Sequence, residues 1–367
     1  MTTILITGSS GLIGSESAQF FHEKGFDILG IDNDSRATFF GAGASTLPRR
    51  IELQSTLARY RHYNEDIRNV PFLESLFREI GPSLAGIIHT AAQPSHDWAS
   101  RDPLTDFSVN AQGTVNLLEM TRLYAPSSVF IHCSTNKVYG DSPNRLPLVE
   151  LPTRWEVDQS HHYAGVGIDT TMSIDQCLHS LFGVSKVAAD IATQEYGRYF
   201  GLKTTTFRFG CLTGPGHAAA ELHGFLAFLV RCTLFGRPYS IFGYKGKQVR
   251  DNLHSRDVAE AFWQVFQKPG VGKVYNLGGG VTSNCSVLEA IALTEKKTGR
   301  TLEVQVCDGA RTGDHIWWVS DNRAFETDYP EWSVKRGIET CIDEILEHAG
   351  RKDTTVLEGV DLRSKTV

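Results

Sequence analysis

Two hydrophobic patterns alternate through the first half of the chain. Short apolar runs, "TILITG", "FDILGID", "AGIIHTAA", "SSVFIHCST" and "KTTTFRF", are separated by longer stretches of helical periodicity such as "SESAQFFHEKG". Apolar runs of strand length between amphipathic helices predict a parallel sheet covered on both faces. Beyond Gly210 the pattern loosens: "SIFG", "KVYNLGGG" and "LEVQVCD" are shorter strand candidates, and "TGPG", "GRP" and "LGGG" punctuate the chain. The division expected is residues 1–202 as the sheet domain and 203–350 as mainly a smaller α/β substrate-binding region, some segments of which return to the sheet. Residues 351–367 form a polar tail.

Composition narrows the function. A net charge of −6 argues against a nucleic-acid face, which needs clustered cations. No apolar run reaches membrane-spanning length, and the first strand follows the start of the sequence with no basic leader, so neither a membrane nor a secretory role is expected. The seven cysteines (Cys133, Cys177, Cys211, Cys232, Cys285, Cys307, Cys341) are odd in number and lack metal-ligand spacing, which fits reduced thiols in the cytoplasm. Asp158, His161 and His162 also lack such spacing, so no metal is expected. Ser134 has no Gly-x-Ser-x-Gly elbow around it, which disfavours a hydrolase.

The chemistry is concentrated at the first turn. Gly8, Gly11 and Gly14 follow the first strand and open the first helix, a spacing that lets backbone approach a pyrophosphate at a helix N-terminus. Asp32 ends the second strand, where a carboxylate accepts both hydroxyls of an adenosine ribose and repels a 2′-phosphate. That favours NAD over NADP, although Arg36 offers a cation to such a phosphate. Asp66 and Ile67, in "NEDIRN", are placed to give an adenine ring one polar and one apolar neighbour. The fold expected is therefore a Rossmann-type doubly wound parallel sheet with its site in the crevice beyond the strand carboxyl ends.

With "TGSSGLIG", "HTAAQPS", "VNAQGTVNLLE", "STNKVYGD" and "GVSKVAAD" in this order, the chain resembles the extended short-chain dehydrogenase/reductase family over nearly its whole length. "STNKVYGD" and "GKQVRDNLH" bring it nearest to the CDP-tyvelose (CDP-paratose) 2-epimerases within that family. Sugar-nucleotide 4,6-dehydratases typically carry Asp-Glu after the active-site Thr, whereas this chain has Asn136 and Lys137 after Thr135. The resemblance implies a homodimeric enzyme with tightly held NAD. A hydroxyl of a nucleotide-linked sugar is oxidised to a ketone, and hydride returns to the other face. By the same resemblance Thr135 binds the reacting sugar oxygen, with Asn136 beside it, and Lys186 holds the nicotinamide ribose. Arg250 and Arg311 grip the substrate diphosphate, as forked guanidinium groups can. His89 and Asn110 are expected to be structural, and the dimer is expected to use helices around residues 110–124 and 183–200.

One position breaks the pattern. In "HSLFGVSK", Phe182 stands four residues before Lys186, where the family carries the tyrosine that takes the sugar's proton. Phe182 keeps the ring and lacks the acid–base group, whose contribution is roughly 10²–10⁴-fold. Leu181 also replaces the family's usual proline, and adjacent departures favour a natural lineage over one designed change. Another group then does the work, with Tyr163, His179, Cys177 and Lys137 as candidates. Otherwise the protein binds NAD and a nucleotide sugar without turnover, or runs a net oxidation or decarboxylation on the same scaffold. "SHDW", Ser95 to Trp98, reads equally as a sugar-facing segment or a surface loop.

Overall fold

The structure, a computed structural model, describes residues 2–356 except 222, 308, 311 and 312, with side chains described as far as residue 350. Seven parallel strands form the central sheet: β1 (Thr3–Thr7), β2 (Asp27–Ile31), β3 (Tyr60–Tyr63), β4 (Leu84–His89), β5 (Val129–Thr135), β6 (Lys203–Phe209) and β7 (Lys273–Leu277). Their order is β7-β6-β5-β4-β1-β2-β3. Strand progression reverses between β1 and β4, which opens a crevice at their carboxyl ends.

Alternation along each strand decides what lies on each face. Ile4, Ile6, Ile88, Ile131 and Phe207 are buried on one side against Phe20 and Phe21 of α1 (Leu12–Glu23) and Val258 and Phe262 of α5 (Ser255–Gln267). Leu5, Ile87 and Phe130 face the other way, onto Leu73 and Phe77 of α2 (Val70–Ile80) and Leu117 and Leu118 of α3 (Gly113–Tyr124). Each such side chain stabilises the fold by about 1.5–3 kcal/mol relative to exposure. Helix α4 (Ser180–Phe200) ends at Gly201, which takes the left-handed conformation.

The expected strands are present, with β7 running along "KVYNL" back in the central sheet. The rest of the chain forms a smaller set of pieces. Strand 249–254 pairs with 211–213, 284–286 and 317–318, and strand 239–242 pairs with 304–307. Its core gathers Leu226, Leu229, Val230, Ile241, Ile291, Ile342 and Ile345. The last helix, Ile338–Val356, continues beyond Gly350, so the boundary expected at 351 falls inside it. Among the described residues no helix is long and apolar enough to cross a membrane.

Candidate active site

The turn after β1 is shaped by its glycines. Gly8 lies in the left-handed region (φ 67°), and a Cβ there would stand 2.7 Å from Thr90 Oγ1 in the loop after β4. A Cβ on Gly14 would stand 2.1 Å from the Gly8 carbonyl oxygen, so α1 could not approach the turn. Asp32 closes the arrangement by accepting the Ser10 N–H at 3.1 Å and the Asp34 N–H at 2.8 Å. Burial raises its pKa, and those two N–H groups oppose the rise.

The turn forms one wall of a cleft of about 1060 Å³ that runs from Asp32 to Arg250. Gly8, Gly11, Asp32, Asp66, Ile67, Thr135, Asn136, Phe182, Lys186 and Arg250, gathered from distant parts of the chain, all line it. Gly14 stands behind the turn and is a packing residue. Asp66 is also tied to Arg68 at 2.7 Å and to the Asn33 amide at 3.1 Å. Burial pushes its pKa up, but the Arg68 hydrogen bonds and charge outweigh that and hold it down. Ile67 packs under Gly113 of α3, where a Cβ would come within 2.5 Å of it.

At the other end of the cofactor wall, β5 delivers Thr135, whose hydroxyl accepts the Lys137 N–H at 3.3 Å and donates to Asn136 Oδ1 at 3.3 Å. Helix α4 supplies Lys186, and its Nζ donates to the Cys133 carbonyl at 3.0 Å. Burial lowers the Lys186 pKa, against the pull of Cys133, Asp190 and Asp106. These features fit NAD: a close backbone cradle, a carboxylate for the adenosine ribose and a buried ammonium near the Thr135 wall. Asn110 supports the wall from behind, donating to Gln93 O, Asp106 and Ser185, while His89 is held between Thr7 and Thr114. Neither lines the cleft.

Arg36 lines the cleft with Asp32 but is engaged elsewhere. Its guanidinium donates to the Ala218 carbonyl at 2.7 and 3.2 Å and lies over the Phe40 ring, and burial lowers its pKa to about 10. An arginine committed to Ala218 is a poor partner for a 2′-phosphate, which supports NAD. Arg250 is buried on strand 249–254 and pairs with Asp314, while its Nη1 donates to the Val249 carbonyl at 2.7 Å. Arg311 lies outside the described residues.

The candidates for the missing base separate sharply. Tyr163, 5% exposed, is packed with Trp317 and Trp318 in a core away from the cleft lining, which corrects its place among the catalytic candidates. His179 donates Nε2–H to the Val138 carbonyl at 2.8 Å, and Cys177 sits 3.6 Å from the same ring; neither lines the cleft. Lys137 does. His96, in the "SHDW" segment that reads equally as sugar-facing or as a surface loop, lines the cleft, and its ring meets the edge of Phe182 with centroids 4.7 Å apart. Ser95 caps the short helix His96–Arg101 by accepting the Trp98 N–H at 3.1 Å, which is the local signal that fixes His96 at the helix start.

The fold and this cleft define a dinucleotide-binding α/β protein. The sequence matches the NAD dependent epimerase/dehydratase family over residues 4–278. It is 32% identical to CDP-paratose 2-epimerase of Salmonella typhi over 300 residues, 80% of this chain and 83% of that protein. It is also 27% identical to dTDP-glucose 4,6-dehydratase of Salmonella typhimurium, across 75% of this chain and 72% of that one. The fold is similar to Thermus thermophilus UDP-glucose 4-epimerase in complex with NAD (TM-score 0.75, 25% identity, 95% and 99% of the two chains). It is similar to Bacillus cereus UDP-glucuronic acid 4-epimerase with UDP-glucuronic acid and NAD as well (TM-score 0.76, 21% identity, 96% and 100%). The chain belongs to the NAD dependent epimerase/dehydratase family, and it is an enzyme scaffold of the extended short-chain dehydrogenase/reductase type.

Proposed function

We propose that the protein is an NAD-dependent epimerase of a nucleotide-linked sugar, acting like a CDP-hexose 2-epimerase. The observation that carries this is a single cleft lined both by Gly8, Asp32 and Lys186, suited to the dinucleotide, and by Thr135, Asn136 and Arg250, suited to a sugar diphosphate. The likeness to CDP-paratose 2-epimerase supports the choice of reaction, and Asn136–Lys137 in place of Asp-Glu counts against dehydration. Bound NAD supplies reversible oxidation of a ring hydroxyl. Thr135 holds the reacting oxygen, Lys186 orients the nicotinamide ribose, and Arg250 shares its charge between Asp314 and the substrate diphosphate. A homodimer formed through α3 and α4 belongs to the same proposal: Leu123, Leu181, Val184, Tyr199 and Phe200 are exposed along those helices. Seven free cysteines support a reducing, cytoplasmic setting.

A proton NMR time course with NAD and a panel of nucleotide hexoses led by CDP-sugars tests this. A new sugar diastereomer without NADH accumulation is the expected result. Phe182 favours one rival, a protein that binds both ligands and releases no product. Tight binding with an unchanged sugar spectrum would establish that rival, and NADH or carbon dioxide release would mean a net oxidoreductase or decarboxylase.

A further inference from the structure

We propose that Asp190 is a positioning residue for this cleft, clamping the helix that carries Lys186 to the strand that carries Thr135. The inference rests on the epimerase reading, in which a sugar held at Thr135 exchanges hydride with a dinucleotide held at Lys186. Those two side chains lie on different elements, β5 and α4, so one element must be fixed against the other. Lys186 gives one link itself, from its Nζ to the Cys133 carbonyl. Phe182, on the same helix, has no hydroxyl with which to tie α4 to a sugar. Alignment matters here, because a slip of about 1 Å can cost roughly 10²-fold in rate.

Asp190 lies buried on α4, one turn beyond Lys186. Its carboxylate accepts the Ser134 hydroxyl at 2.6 Å, the Arg208 Nε–H at 3.0 Å and an Arg208 Nη2–H at 2.9 Å. Ser134 and Arg208 are direct partners across the β5–β6 ladder, so a single carboxylate on the helix grips both strands. Ser134 stands between Cys133, whose carbonyl receives Lys186, and Thr135. On the other side of Thr135, Tyr139 closes the short turn Asn136–Tyr139. Its hydroxyl accepts from Arg208 Nη1 at 3.0 Å and donates to Asn276 Oδ1 of β7 at 2.7 Å. Thr135 is therefore anchored to the same ion pair from before and from after.

Stability alone does not account for this pair. Arg208 is 6% exposed and Asp190 1%, and at that depth desolvation offsets most of the attraction, so an apolar pair would hold the fold as well. What the pair adds is direction. A guanidinium forked onto a carboxylate fixes orientation as well as distance, which an apolar contact does not.

Asp190→Asn would strand the Arg208 charge in the core, so the test keeps the pair and cuts its links to the Thr135 wall. Full-length Ser134→Ala and Tyr139→Phe are compared with Gln194→Met, which removes a donor to Asp190 from within α4 itself. Ser134→Ala should lower kcat roughly tenfold, with KM and calorimetric NAD affinity within about threefold of the parent. Tyr139→Phe should lower kcat about threefold and gives the same test if Ser134→Ala does not fold. Gln194→Met should stay within about twofold in kcat while losing as much stability to urea as Ser134→Ala, whereas a merely structural network would slow both alike. A second readout needs no turnover. In ¹⁵N-lysine spectra of the NAD-free protein the Lys186 signal, assigned by its loss in Lys186→Met, should shift in Ser134→Ala and hold its place in Gln194→Met. Unchanged kcat in Ser134→Ala, equal slowing by Gln194→Met, or an unmoved Lys186 signal overturns the proposal and leaves the epimerase reading intact. A parent silent with every nucleotide sugar overturns that reading, and the Lys186 signal then still decides the clamp.

Discussion

The two ends of the cleft are built differently. The dinucleotide end comes from neighbouring sequence: Gly8, Gly11, Gly14 and Asp32 belong to one β1-α1-β2 unit, and each keeps the residue type its task requires. The sugar end is assembled from the end of β5, the start of α4, the helix His96–Arg101, strand 249–254 and the Gly313–Asp314 loop. Here Phe182 stands where the family resemblance implies a tyrosine, and Leu181 where it implies a proline. Binding a pyrophosphate depends on backbone shape that few side chains tolerate, whereas a proton acceptor can enter from any segment that borders the reacting carbon. Chemistry can therefore shift between residues while the cofactor end stays fixed.

The largest expected effect breaks the dinucleotide end alone. In Gly14→Val, the new Cβ would meet the Gly8 carbonyl, 2.1 Å away, so NAD binding by calorimetry should be lost while circular dichroism still reports a folded α/β protein. Asp32→Asn removes the charge on the ribose acceptor, a loss of about 1.5–3 kcal/mol or roughly 10–100-fold in NAD affinity, and should narrow the preference for NAD over NADP. At the sugar end, Arg250→Lys should raise the KM for the nucleotide sugar about tenfold, with NAD affinity unchanged. Equal losses of both ligands in that variant would mean the ends are not separable.

The smallest effect sharpens the comparison through pH. His89 and His132, stacked behind the wall at 5.4 Å, are held neutral by burial and by the Lys186 charge, His89 down to about 3 and His132 well below its ordinary value. The folded state thus binds fewer protons than the unfolded chain. Their contribution is complete above about pH 6.5 and is lost as pH falls from there toward the folded values. Each should cost about 2 kcal/mol between pH 6.5 and 5. Asp251 partly opposes this, because burial lifts its pKa to about 6 and the cost of its charge is relieved on acidification. Urea unfolding at pH 7 and pH 5 should show a net loss of stability in acid.

Much of this arrangement was legible in the sequence because its signals are local. "TILITG", "SSVFIHCST" and "KTTTFRF" run into β1, β5 and β6, and the glycine spacing with Asp32 marked the cofactor. Tyr163 misled because a tyrosine in an insertion carries no sign of whether it faces ligand or core; here Trp317 and Trp318, far along the chain, enclose it. His96 stayed undecided between ligand-facing segment and surface loop for a related reason. "SHDW" is polar and short, and only the packing of Phe182, Ser180 and Gly313 around the imidazole, all long-range contacts, distinguishes it from a surface loop. Arg36 was likewise undecided until Ala218 claimed it.

The central claim is that one cleft oxidises a sugar hydroxyl and returns the same hydrogen with no net redox change. The direct measurement follows a CDP-hexose deuterated at C2 through turnover in ordinary water, by NMR and mass spectrometry. The account predicts a C2 diastereomer that keeps its deuterium at C2. Deuterium lost to water, or left on accumulated NADH, would contradict it.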